Sequence, residues 1–127
     1  MKKVALLILA LIFTLSSCKN DDDNLNNTCN VSDPIKNFGW LKEIIIDIEQ
    51  SSLTDEFYIS QAIYKGETVF IVGNCCALCN SVITVHNCEG EQIARLGYDD
   101  GNDFVINFDI LERDSIIWSS PNFICTD

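Results

Sequence analysis

The sequence predicts an α+β fold in which one N-terminal helix packs on an antiparallel β-meander of about four to five strands, and disulfides staple the domain. Three observations support this prediction. Apolar residues recur at helical spacing after Asp33, segments rich in β-branched residues follow from Phe57 onward, and six cysteines lie between residues 29 and 125.

The predicted helix begins at Asp33-Pro34, because an Asp directly before a Pro at the first helical position is a helix-start signal. The apolar residues that share one face of this helix are Leu41, Ile44, Ile45 and Ile48. Gly39 weakens the first turn. Ile44, Ile46 and Ile48 also fit the period of two that a strand would have, but we predict the helix.

The rest of the domain is predicted to be strands joined by turns. The predicted strands are 57–64, 68–72, 82–86, 92–96 and 104–110, and 116–118 closes the core. Lys65-Gly66 and Glu89-Gly90 supply turns. In the fifth strand Phe104, Ile106, Phe108 and Ile110 alternate with Val105, Asn107 and Asp109, although a helix there stays open. Residues 73–80 form a loop that carries cysteines.

The N-terminus has the layout of a bacterial lipoprotein signal peptide. Lys2 and Lys3 precede an apolar segment of 12 residues, Val4 to Leu15, and Ser16-Ser17-Cys18 follow it directly. This segment is shorter than the ~20 residues that a membrane-spanning helix needs. We therefore predict that residues 1–17 are cleaved and that Cys18 becomes the lipidated N-terminus. The alternative is an ordinary secretory signal followed by a coincidental cysteine.

Residues 18–32 are predicted to be a flexible acidic tether, because they carry few large apolar groups. The single globular domain then covers residues 33–127. Lys19 directly after the lipidated cysteine favours the outer membrane over the inner membrane. The acidic run at 21–23 resembles the export signal of surface-exposed Bacteroidota lipoproteins, so both the periplasmic side and the cell surface remain open.

The chain is strongly acidic, and this disfavours nucleic acid as a partner. Removal of Lys2 and Lys3 from the 8 basic residues leaves 6 against 19 acidic ones, so the formal net charge goes from −11 to −13. Such a surface repels phosphate backbones and anionic head groups. It permits a cationic partner or a bound divalent metal, but it does not by itself indicate either.

Disulfides are the expected state of the cysteines in a small exported domain. The candidates are Cys29, Cys75, Cys76, Cys79, Cys88 and Cys125. Six cysteines allow 15 connectivities. Cys75 and Cys76 are predicted to reach two different partners, since extended neighbours point to opposite faces. Cys29 and Cys125 are candidates to staple both ends of the domain to the central loop.

Cys76 and Cys79 form a C-x-x-C, the spacing of a redox pair, but the β-branched residues after it resist the helix that stabilises a reactive thiolate. Zinc held by Cys75, Cys76, Cys79, Cys88 and His86 is the other chemical alternative. The predicted strand 82–86 separates Cys88 from Cys79 by more than ~20 Å, so we predict no metal site.

Other signals for chemistry are weak. The acidic loop 99–103 lacks the spacing of a calcium loop, and a single histidine makes general acid–base catalysis a poor expectation. Asp114-Ser115-Ile116 matches the short pattern for O-glycosylation in Bacteroidota, with Ser115 as the acceptor. The only cofactor-like group expected is the covalent lipid on Cys18.

Several segments resemble a family of small Bacteroidota lipoproteins of unknown function. They are Trp40-Leu41-Lys42-Glu43-Ile44, Tyr64-Lys65-Gly66-Glu67-Thr68-Val69-Phe70, Cys75-Cys76, Cys88-Glu89-Gly90 and Ile116-Ile117-Trp118. Cys79 and Cys125 depart from the pattern of that family. The resemblance implies a compartment and a fold, with no activity attached.

Together these features predict a non-enzymatic, lipid-anchored protein of the outer membrane or cell surface that binds a protein or glycan. Two alternatives stay open. One is a thiol–disulfide redox protein that uses Cys76 and Cys79, and the other is an inhibitor of an exogenous hydrolase.

Overall fold

The computed structural model describes residues 29–76, 78–79, 82–97 and 104–125, except for the side chain of Arg113. The helices are α1 (Pro34–Asn37) and α2 (Gly39–Glu49), with 3₁₀ turns at Thr54–Glu56 and Phe108–Ile110. The strands are β1 (Phe57–Tyr64), β2 (Glu67–Asn74), β3 (Ile83–His86), β4 (Gln92–Leu96), β5 (Val105–Ile106) and β6 (Glu112–Ser119). The predicted signal peptide, Cys18, the run at 21–23 and the loop 99–103 lie outside the described residues.

The predicted helix is present, but it is broken into two. The Asp33 side chain caps α1 by accepting a hydrogen bond from the Lys36 amide at 3.1 Å. Phe38 then adopts an extended conformation, so its ring can pack edge-on against Phe70, with ring centroids 5.6 Å apart. In the part of the chain that the structure describes, no helix is long and apolar enough to cross a membrane.

The burial pattern of α2 confirms the helical interpretation over the period of two. Leu41, Ile45 and Ile48 are buried, whereas Ile46 is 51% exposed. A strand with a period of two would have buried Ile46 together with Ile48. The apolar stripe of α2 faces the sheet, and the charged residues of the helix point away from it.

The strands form one sheet in the order β5-β4-β3-β2-β1-β6. All neighbours are antiparallel except β4 and β5, which are parallel. The α+β class is thus confirmed, with two helices and six strands among the described residues in place of one helix and four to five strands.

The predicted strand 104–110 is wrong over most of its length. β5 has two residues, and a 3₁₀ turn follows at Phe108–Ile110. The Asn107 side chain caps this turn by accepting a hydrogen bond from the Asp109 amide at 3.3 Å, an interaction that competes with strand pairing. Phe108 and Ile110 are consequently exposed.

The sheet buries both of its faces. Helix α2 covers one face, where Leu41 and Ile45 pack with Ile59 and Phe70. The other face carries the larger cluster, whose buried members are Ala62, Val69, Ile71, Val85, Ala94, Leu96 and Ile106. Leu111, in the link between β5 and β6, packs against this second cluster.

The connection between the two edge strands shows that the sheet curls around its second face. Residues 107–111 join β5 at one edge to β6 at the other. A flat sheet of six strands is roughly 24 Å wide at ~4.8 Å per spacing. The chain from Ile106 to Glu112 spans at most roughly 20–22 Å when fully extended, and the 3₁₀ turn shortens it further. The edges must therefore approach each other, which encloses the second cluster.

Candidate functional site

The six cysteines among the described residues form three disulfides, which confirms the expectation of a disulfide-stapled domain. Cys29 pairs with Cys88, Cys75 with Cys125, and Cys76 with Cys79. Cys75 and Cys76 reach different partners, as expected from their adjacent positions. Cys125 staples the tail to the central loop, also as expected.

Cys29 does not reach the central loop, and this part of the prediction is wrong. It pairs with Cys88 in the turn between β3 and β4. The reason is the position of the helix start, because the Trp40 indole donates a hydrogen bond to the Cys88 carbonyl at 3.1 Å. The chain entering α1 therefore lies beside this turn rather than beside residues 75–79.

The C-terminal tail is fixed against the start of β1 by three kinds of contact. The Ser120 hydroxyl donates to the Asp55 carboxylate at 2.8 Å, and the Ile124 amide donates to the Asp55 carbonyl at 3.0 Å. The disulfide to Cys75 then closes the end of the tail. These contacts give residues 120–125, the described part of the tail, a defined position even though they form no helix or strand.

A cleft of about 430 Å³ lies between this tail and the edge strand β6. The residues that line it are Tyr58, Cys75, Asp114, Ser115, Ile116, Phe123 and Cys125. The rings of Tyr58 and Phe123 meet edge to face, with centroids 6.1 Å apart. The Ile116 side chain is 54% exposed on β6. The cleft thus combines apolar walls with one carboxylate.

The Asp114 carboxylate sets the electrostatics of the cleft. Burial raises the pKa of the Tyr58 phenol, and the negative charge of Asp114 raises it further. Both effects disfavour a second negative charge at this position. Burial disfavours a cation as well, but the carboxylate and the aromatic faces attract one, whereas the carboxylate repels an anion. The arrangement is suited to a cationic group on an apolar stem.

Ser115 lies on β6, lines the cleft and is exposed to solvent. Its hydroxyl is therefore accessible, but O-glycosylation at this residue stays a prediction. A glycan there would stand at the mouth of the cleft.

A group of two sulfur atoms and a carboxylate, the cysteine cluster, lies at the same end of the domain around the Cys76–Cys79 disulfide. A carboxylate oxygen of Glu56 and both sulfur atoms all lie within 4.8 Å of one another. Glu56 was not among the site residues predicted from the sequence. The sequence does hold a signal for its position, the two-residue turn at Lys65-Gly66. A hairpin that pairs Tyr64 with Glu67 across this turn brings residue 56 opposite residue 75.

His86 has a structural position away from this cluster. Its Nδ1 lies 3.1 Å from the Gly90 carbonyl oxygen and its Nε2 lies 2.9 Å from the Thr84 hydroxyl. Nδ1 therefore donates to the Gly90 carbonyl, which can only accept, and in the neutral ring Nε2 accepts from the Thr84 hydroxyl. The ring also stacks on Trp40 at 5.6 Å. Since Cys75 and Cys88 are engaged in other disulfides, the five-residue zinc set considered from the sequence is not assembled.

Comparisons with protein-family models, with curated proteins and with solved structures found no match. The resemblance to small Bacteroidota lipoproteins therefore stays a prediction.

Proposed function

We propose that the protein is a non-catalytic binding lipoprotein of the outer membrane, on its periplasmic side or at the cell surface. Its cleft between β6 and the tail receives a cationic side chain of a protein partner. The observation that carries this proposal is the Asp114 carboxylate in a cleft with the aromatic walls Tyr58 and Phe123. An Arg or Lys side chain matches both features.

The charge of the whole domain supports a cationic partner. With 19 acidic residues against 8 basic ones in the chain, the protein attracts positively charged surfaces at long range. Long-range attraction raises the rate of encounter, whereas the cleft supplies the specific contact. Both terms favour the same sign of charge on the partner.

The anchor and tether support a role in presentation. Lipidation of Cys18 would hold the chain at a bilayer, because two lipid signals already give stable anchoring. The chain from Cys18 to Cys29, where the disulfide to Cys88 ties it to the domain, would then reach over up to roughly 40 Å. A domain held this way can reach a protein on the same membrane or on a neighbouring surface.

The test is affinity capture from intact cells of the native host, followed by partner identification. Asp114→Lys is expected to lower capture at least about tenfold, since it reverses the charge in the cleft. The matched control is Asp109→Lys, which makes the same change of charge at an exposed residue outside the cleft lining. Equal capture by both variants, or equal loss, would contradict a role for the cleft.

Two further measurements separate the parts of the proposal. Capture that survives protease treatment of the partner but is lost after periodate oxidation would indicate a glycan and overturn the protein partner. Metabolic labelling with a palmitate analogue is expected to mark the wild type and to fail in Cys18→Ala. A wild type that takes up no label would exclude the anchor.

One observation favours inhibition of a hydrolase as a second candidate function. Leu78 is 99% exposed within the loop that the Cys76–Cys79 disulfide closes. An apolar side chain on a constrained, protruding loop is suited to the specificity pocket of a protease. Inhibition across a panel of secreted proteases is expected to disappear in Leu78→Asp and to persist in Ile124→Asp, an equally apolar exposed residue. Absence of inhibition by the wild type would remove this candidate.

A further inference from the structure

The Cys76–Cys79 disulfide differs from the other two in the length of chain that it closes. Its cysteines are 3 residues apart, compared with 59 and 50 for the other pairs. Because the stabilisation by a disulfide grows with loop length, this bond contributes least to folding. The fold can therefore tolerate its opening better than the opening of either long-range disulfide.

Glu56 is held beside these sulfurs by the backbone. Its carbonyl accepts a hydrogen bond from the Cys75 amide at 3.0 Å, one step beyond the last β1–β2 pair. The Cys125 sulfur also lies 3.3 Å from the same carbonyl oxygen. On the other side, the Asn74 side chain accepts a hydrogen bond from the Cys76 amide at 3.2 Å. The hairpin register thus sets the position of the Glu56 backbone, from which the carboxylate lies within 4.8 Å of both sulfurs.

The charge of Glu56 distinguishes two uses of the cysteine pair. A neighbouring carboxylate disfavours a free thiolate, which is the species that attacks in thiol–disulfide exchange. The same carboxylate favours a divalent cation, which offsets two of the three negative charges that the carboxylate and two thiolates carry together. The geometry therefore suits metal binding by the reduced pair better than redox catalysis.

We propose that Glu56, Cys76 and Cys79 form a zinc site that the disulfide closes and that reduction opens. An external dithiol would supply two electrons and two protons, so that the S–S bond breaks and the dithiol leaves as its own disulfide. Zn²⁺ then displaces the two thiol protons to solvent and binds both thiolates and one carboxylate oxygen. This site is independent of the cleft and of its proposed partner.

The spacing and exposure of the three residues fit this use. A C-x-x-C supplies two zinc ligands in many proteins, and Cα atoms 5.2 Å apart serve both a disulfide and a shared ion. Ligands at ~2.0–2.3 Å from zinc lie roughly 3.5–3.8 Å from one another, so shifts of about 1 Å complete the site. All three residues are partly exposed, which leaves water as the fourth ligand.

The first test uses the purified wild-type full chain, so it does not depend on the folding of a variant. After mild phosphine reduction, mass mapping of alkylated peptides identifies which thiols are free. Cys76 and Cys79 are expected to react first, and added Zn²⁺ is expected to slow their alkylation at least about tenfold. Unchanged alkylation in the presence of Zn²⁺ would overturn the proposal.

The second test measures zinc binding to reduced variants by competition with a chromophoric chelator. Glu56→Gln is expected to weaken binding by at least about tenfold, whereas Glu67→Gln, at the opposite end of the same hairpin, leaves it unchanged. The Cys76→Ser/Cys79→Ser variant and the oxidised wild type are expected to bind no zinc. Equal affinity of Glu56→Gln and wild type, or one-to-one binding by the double variant, would overturn the site.

Discussion

The ring of Tyr58 lies directly over Gly73 in the neighbouring strand. The two residues are Cα partners in the β1–β2 register, and a Cβ built at residue 73 would be 2.7 Å from both Cζ and Oη of the tyrosine. The absence of a side chain at Gly73 therefore makes room for the ring that lines the cleft. This relationship connects the cleft to the core hairpin.

Gly73→Ala is expected to destabilise the protein by about 1–3 kcal/mol. The added methyl group cannot coexist with the ring in its present position, and overpacking of this kind forces a side chain or the backbone to move. Urea unfolding followed by tryptophan fluorescence measures the change in the free energy of unfolding. The Tyr58–Phe123 contact should also loosen, which lowers capture of the cationic partner.

Gly39→Ala is the control for the loss of a glycine in itself. Nothing lies within 4 Å of a Cβ at this helical position. The free energy of unfolding of Gly39→Ala should stay unchanged or rise by up to about 1 kcal/mol, because alanine has a higher helix propensity than glycine. A Gly73→Ala variant as stable as Gly39→Ala would contradict the steric role of Gly73.

A second prediction concerns the contact between Trp40 and Gly90. Both Gly90 and Gly66 have positive φ, at +85° and +82°, but only at Gly90 would a Cβ meet another side chain, 2.6 Å from Trp40 Cγ. Alanine at either position costs roughly 1–2 kcal/mol for the left-handed backbone. Gly90→Ala should cost a further 1–3 kcal/mol for the clash, by the same overpacking estimate. Equal losses of stability in the two variants would show that Trp40 accommodates the methyl group.

Much of the fold could be predicted from the sequence because its periodicities are local. The stripe from Leu41 to Ile48 and the Lys65-Gly66 turn each depend on a few neighbouring residues. The prediction of a strand over 104–110 was wrong although the alternation there matches a strand. The Asn107 side chain accepts a hydrogen bond from the backbone, and β5 ends after Ile106. A short-range hydrogen bond outweighed the pattern there.

The candidate cleft could be predicted less well, since it depends on contacts between distant residues. Ser120 and Asp55 are 65 residues apart, and their hydrogen bond helps to place the tail beside β6. The β1–β6 register also shifts near Ile59, which alternation along one strand does not reveal. Asp114 stood out only as part of a glycosylation pattern. Its neighbour Tyr58 carried no sequence signal that distinguishes it from a core aromatic.

The three disulfides should contribute unequally to stability. The loop-entropy relation gives about 4 kcal/mol for Cys29–Cys88 and about 2 kcal/mol for Cys76–Cys79, because their sequence separations are 59 and 3. Chemical unfolding of the two double Cys→Ser variants measures both values. The Cys29→Ser/Cys88→Ser variant should also loosen the Trp40 hydrogen bond to Cys88. A larger loss in Cys76→Ser/Cys79→Ser would argue that the short loop has a structural role.

The Tyr58 phenol is expected to keep its proton to a higher pH than an ordinary tyrosine. Burial is the larger cause of its raised pKa, and the Asp114 charge adds to it. The unfolded chain loses this proton near pH ~10, so the contribution of Tyr58 to stability is present below that pH and is lost as pH rises toward the folded pKa. The difference between the absorbance titrations of the wild type and of the Tyr58→Phe variant isolates the Tyr58 phenol. Asp114→Asn should lower the pKa only in part, since burial remains, while Asp109→Asn should leave it unchanged. A Tyr58 that titrates like the unfolded chain would contradict both its burial and the negative potential proposed to attract a cation into the cleft.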